Sequence, residues 1–118
     1  MRYIFILFSI LFLNNSIRAE KLTVYTYDSF VSEWGPGPII EKKFEDKYKI
    51  DLELIAADSA ATLLNKVILE GKNTKADIIL GLDMNLFDSA ENSDLFISHS
   101  LENINERLNL PIKWESKI

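Results

Sequence analysis

The stretch IDLELIAADSAATLLNKVILEGKNTKADIILGLD, Ile50 to Asp83, holds a strand, a helix and a second strand in order, and its reading decides the fold class. Ile50 to Ala56 is a short run rich in β-branched and apolar residues, which reads as a strand. The period then changes. From Ala60 to Glu70, residues Leu63, Leu64, Val67 and Ile68 fall on one stripe of a helix, and Gly71 follows where a left-handed C-terminal cap is expected. Ala76 to Leu80 returns to a short apolar run, the next strand.

Working outward, Leu22 to Tyr27 reads as an earlier strand. The Gly35-Pro36-Gly37 turn follows it, and a helix should begin near Pro38, a residue suited to the first turn, with Ile40 and Phe44 four apart on one face. Downstream, a third helix should start near Asp83 to Asn85, use Leu86 and Ala90, and stop at Asn92-Ser93. Leu101 to Leu108 reads as a short helix ended by Pro111, and Trp114 to Ile118 carries no element signal. Alternation of strand and helix at this spacing argues for right-handed crossovers and a mostly parallel sheet flanked by helices. The fold class is therefore α/β, with no internal repeat or low-complexity tract.

The N-terminus gives an address. Met1-Arg2 precedes an almost unbroken apolar run, Tyr3 to Leu13, then Asn14-Asn15-Ser16 and a peptidase site at Ile17-Arg18-Ala19, the order of a secretory signal. The run is too short for a helix across a bilayer of roughly 30 Å, so residues 1–19 are expected to be a cleaved signal and residues 20–118 the exported part. Removing the signal leaves 11 basic against 18 acidic residues, a net charge of −7. Nucleic acid is excluded as a partner on this balance, because Lys42, Lys43, Lys47 and Lys49 alternate with Glu41, Glu45, Asp46 and Asp51 and form no basic patch. The chain has no cysteine. Neither a disulfide framework nor a thiolate metal site is available, and stability must come from packing.

Ligands of open α/β sheets bind beyond the carboxyl ends of the strands. Here those ends deliver Tyr27-Asp28-Ser29, then Asp58-Ser59, then Gly81-Leu82-Asp83-Met84-Asn85. Each has two open readings. Asp58 or Ser59 is either the N-cap of the second helix or a ligand contact, and Asp83 and Asn85 stand in the same position for the third. Asp28-Ser29 is either a plain turn or part of a rim. Tyr27 and Trp34 are either loop-packing residues or a stacking surface for a flat or cationic ligand.

No catalytic set is legible, and a binding protein fits better than an enzyme. His99 stands alone, without a Cys or paired His at metal-ligand spacing, and no cofactor is expected. Gly35-Pro36-Gly37 lacks the Lys-Ser/Thr pair of a phosphate-binding loop.

The segments Leu22 to Phe30 (LTVYTYDSF) and Glu33 to Pro38 (EWGPGP) resemble the start of the mature thiamine-binding periplasmic proteins. Leu63-Leu64-Asn65, the run Glu70 to Asp77, and Gly81 to Leu86 resemble the same family in the same order, so the likeness covers Lys21 to Phe96. It implies a lobe of the type 2 periplasmic-binding-protein kind, part of a two-lobed receptor that closes over thiamine or its phosphate esters. It further implies delivery to the membrane permease of an ABC importer, export to the periplasm, and a monomeric state at full length. By the same likeness Tyr27 lines the cleft and the start of the second helix, Asp58, Ser59 and Ala60, contributes a contact. The sequence departs from the family there: an acid-glycine pair is replaced by Ser59-Ala60, with the acid one place earlier at Asp58. It also departs in length, which implies that residues 20–118 are the N-terminal part of the first lobe without the second, through a premature stop, a frameshift or a split gene. Two other readings stay open: part of an iron(III) or polyamine receptor, and a small self-contained secreted enzyme or interaction protein.

Overall fold

The computed structural model describes residues 20–98; the expected signal segment, His99 and the expected helix from Leu101 to Leu108 lie outside the described residues. The sheet is parallel and three-stranded: β1 is Lys21–Tyr27, β2 is Asp51–Ala57 and β3 is Ile78–Ile79, in the order β2-β1-β3. The helices are α1 (Asp28–Val31), α2 (Gly37–Tyr48), α3 (Ala60–Glu70) and α4 (Phe87–Glu91). The α/β class and the parallel sheet are as the sequence predicts.

The first strand in the chain lies in the middle of the sheet. The chain moves from β1 to β2 on one side, then crosses back over β1 to place β3 on the other. Right-handed crossovers running in opposite directions put their helices on opposite faces. The contacts agree: Gly37, at the start of α2, lies against Leu54, whereas Leu63 and Val67 of α3 pack with Tyr25, Ile55 and Ile79. Register explains why these residues meet, since Tyr25 pairs with both Ile55 and Ile79 and the three side chains share a face.

Helix α3 begins and ends where its sequence signals stand. Its stripe is buried at Leu63, Leu64 and Val67, while Ile68, expected on the same stripe, is exposed. Gly71 takes a positive φ of 54° as expected of a terminal glycine, but its ψ of −134° is outside the left-handed helical basin. A one-turn 3-10 segment, Gly71–Asn73, follows.

The end of α3 is tied to the centre of the sheet by a polar cluster. The buried Tyr25 donates its hydroxyl to Glu70 at 3.1 Å, Thr74 donates to the same carboxylate at 2.8 Å, and Lys66 pairs with it at 2.7 Å. The Lys66 ammonium also stands 5.1 Å from the centre of the Tyr25 ring, within cation–π range.

Three expectations change in detail. The last strand is shorter than Ala76 to Leu80, because Asp77 substitutes its side chain for a ladder carbonyl: Thr23 N–H donates to Asp77 Oδ2 at 2.8 Å, while Asp77 N–H donates to Thr23 O at 2.9 Å. The Asp28-Ser29 turn is one full turn of helix, α1, whose Phe30 is buried. The charged run on α2 is solvated at Lys42 and Asp46, which pair at 3.0 Å, but Glu45 turns inward and accepts the N–H of Leu52 on the outer strand at 3.1 Å. That bond satisfies a donor that an edge strand would otherwise leave to water.

Candidate functional site

All three strands run the same way, so their carboxyl ends share one edge of the sheet. Tyr27 ends the central strand. Its register partner on β2 is Ala57, so Asp58-Ser59-Ala60 leave the sheet directly beside it. On the other side the pairing of Tyr25 with Ile79 is prolonged by a bond from Leu80 N–H to Tyr25 O at 2.9 Å, which brings Gly81 level with Tyr27. The first and last exits lie where the direction of chain winding reverses, the position at which open α/β sheets form a crevice.

Tyr27 is half-buried. Its ring meets Phe30 edge-on, with centroids 5.9 Å apart and planes at 66°. Gly81 closes on the ring from the β3 exit so tightly that a Cβ there would overlap the Tyr27 Cδ1 and Cε1 positions. Phe30 is held in turn by the Gly-Pro-Gly turn: a Cβ on Gly37 would stand 2.6 Å from the Phe30 carbonyl oxygen, and one on Gly35 would overlap the carbonyls of Ser29 and Phe30. The two glycines are needed for close backbone approach, and this packing fixes where Trp34 emerges. Trp34 itself is 80 % exposed.

Hydrogen bonds identify the capping residues. Ser59 is the N-cap of α3, extended at φ −153° and accepting the Thr62 N–H at 3.1 Å, so Asp58 is free of that duty and exposed. Asp83 caps a 3-10 turn, Met84–Leu86, by accepting the Asn85 N–H at 2.8 Å, and the helix proper, α4, starts only at Phe87. Asn85 lies inside that turn and is exposed. The exits of β1, β2 and β3 thus each present an exposed carboxylate, at Asp28, Asp58 and Asp83. Tyr27 and the β2 and β3 exit loops are neighbours through the sheet, while Trp34 joins the same end of the lobe only through α1.

Sequence reasoning did not single out Phe30 or Gly81. The signal for Phe30 was its place in the Tyr-Asp-Ser-Phe segment, one helical turn past the strand. That for Gly81 was a glycine immediately after the expected strand Ala76 to Leu80.

No protein-family model matches the chain. It is 45 % identical over 95 residues to the thiamine-binding periplasmic protein of Escherichia coli, a match that takes in 80 % of this chain and 28 % of that protein. The thiamine-binding periplasmic protein of Brucella abortus is 43 % identical over 105 residues, covering 88 % of this chain and 31 % of the relative. That of Haemophilus influenzae is 41 % identical over 99 residues, 83 % of this chain and 29 % of the relative. Among solved structures, a periplasmic thiamin binding protein superposes with a TM-score of 0.77 at 43 % identity, covering 86 % of this chain and 31 % of that one. Sequence and fold together make the chain a homologue of the thiamine-binding periplasmic proteins, of whose length it spans about three-tenths.

Proposed function

We propose that this chain supplies part of the first lobe of a periplasmic receptor that captures thiamine or its phosphate esters for an ABC importer. Residues 1–19 direct export and residues 20–118 belong to the lobe. The observation that carries the reading is the likeness to three thiamine-binding proteins at 41–45 % identity, in a chain whose Tyr27 ends the central strand between two polar exits. The role is binding, with no chemical step. Thiamine pairs a permanent thiazolium cation with a flat aminopyrimidine. The Tyr27 and Trp34 rings offer stacking faces, and the carboxylates of Asp28, Asp58 and Asp83 attract the cation. A phosphate ester would meet the N–H groups at the start of α3, beside Ser59 and Ala60. Asp83 and Asn85 complete the polar rim from the β3 side.

The rim built by the described residues offers a ligand one face, and a small-molecule site draws its affinity from enclosure. The test therefore compares the full chain with a hybrid in which this sequence replaces the 95 matching residues of the E. coli relative. By isothermal titration the hybrid should bind thiamine tightly and the chain alone much more weakly. Trp34→Ala in the hybrid should weaken binding by about tenfold, the loss of one aromatic contact. A folded hybrid that ignored thiamine while taking up iron(III) or spermidine would sink the proposal.

A further inference from the structure

We infer that Gly81 is a positioning residue for the ligand site: by lacking a side chain it lets the β3 exit seat against the Tyr27 ring and thereby sets the pose of that ring. The inference rests on the proposal that Tyr27 contacts the ligand.

Two separate properties of Gly81 support it. Its φ of +104° is in a region that residues with side chains rarely adopt. Its α-carbon also approaches the Tyr27 ring so closely that an added Cβ would overlap two ring carbons, Cδ1 and Cε1. The overlap is with a side chain rather than with main chain. Gly35, by contrast, faces the carbonyl oxygens of Ser29 and Phe30. A methyl at position 35 therefore presses on backbone, whereas at position 81 the steric overlap, though not the cost of the positive φ, is relieved by turning the Tyr27 ring. Movement of the ring is constrained in turn, since Phe30 already packs on it and is itself only 8 % exposed. The main chain entering Gly81 is anchored to the central strand by Leu80 N–H to Tyr25 O at 2.9 Å. With the main chain held there and the overlap on a side chain, the ring is the part that gives way. A stacking face is productive only within narrow limits of position and tilt, so the change is felt as lost affinity.

The test has a structural and a functional arm. In the full chain, nuclear Overhauser contacts should link the Gly81 α-protons to the Tyr27 ring. Gly81→Ala should abolish those contacts and shift the ring signals, leaving the methyl signals of Leu63 and Val67 in place. In the hybrid, thiamine affinity should fall about tenfold on Gly81→Ala in the presence of Tyr27, and by less than about twofold when Tyr27→Ala is already present. An unchanged ring signal, or an equal loss of affinity in both backgrounds, overturns the inference. If Gly81→Ala fails to fold, the double variant decides: recovery of folding on removing the ring supports the ring contact, and continued misfolding assigns Gly81 to backbone conformation alone and overturns it. Should Tyr27→Ala leave thiamine affinity intact, the proposed site is wrong, and the inference falls with it; the ring signals would still report whether the Gly81 contact exists.

Discussion

The Tyr25 hydroxyl donates to both carboxylate oxygens of Glu70, at 3.1 and 3.3 Å, and so joins the middle of β1 to the last residue of α3. The bond has a pH signature. The Lys66 ammonium and the Thr74 hydroxyl, against some burial and with help from Tyr25, hold the Glu70 carboxyl below its ordinary value of 4.5. A depressed carboxylate contributes stability that is present above the unfolded value and is lost as pH falls through the folded one. Urea midpoints should therefore drop as pH is lowered from about 5 to about 3, and Glu70→Gln should flatten that acid limb. At the alkaline end, burial first and then Glu70 raise the Tyr25 phenol above 10.0, and its contribution is present below that value and lost as pH rises beyond it. Tyr25→Phe should remove the phenol's share of the alkaline decline while leaving most of the acid limb.

Packing under α3 should dominate stability. Leu63 is 0 % exposed, at the heart of the cluster with Tyr25 and Val67, and Leu63→Ala should cost about 2–5 kcal/mol in urea unfolding. On the same helix Leu69 is 87 % exposed, and Leu69→Ala should change stability by less than about 0.5 kcal/mol.

The Gly-Pro-Gly turn makes a sharper contrast. Gly35→Ala forces a methyl onto two carbonyl oxygens of α1 and should destabilise by about 1–3 kcal/mol. Pro36→Ala, at an exposed neighbour, should cost less. Thermal unfolding of the two variants side by side measures the difference.

Ser59 caps α3, and the cap is testable apart from any ligand. Ser59→Ala should lose about 1 kcal/mol of stability, whereas Ser59→Asn, which can accept the same Thr62 N–H, should lose little. If thiamine affinity of the hybrid falls equally with both replacements, Ser59 also touches the ligand.

What was legible in the sequence had local causes. The boundaries of α3 were readable because an apolar stripe, a capping serine and a terminal glycine all fall between Ser59 and Gly71. The convergence of the three strand exits on one edge, where the candidate site is placed, followed from a rule about strand ends that needs only the order of elements. What was not legible depends on partners distant in sequence. Nothing in the run around Asp77 announces that its carboxylate will take the Thr23 N–H and shorten β3, because the two residues are 54 apart. Glu45 looked like one more charge on a wet helix face, and only the position of Leu52 turns it inward. The Gly81–Tyr27 approach is of the same kind. A glycine after a strand is common, and its use appears only when β3 is laid beside β1.

The place of β1 has a consequence for how the chain reaches its destination. This strand follows the proposed export signal directly, yet both of its hydrogen-bonding partners come later, starting at Asp51 on one side and at Ile78 on the other. It has no hairpin mate nearby in sequence, and pairing waits for long-range closure, which is slow. Under the proposed export, the first strand to enter a translocation channel would be one without a local pairing partner. The sheet's central position is filled by a segment whose pairing cannot be completed until residues as far as Ile79 have joined it.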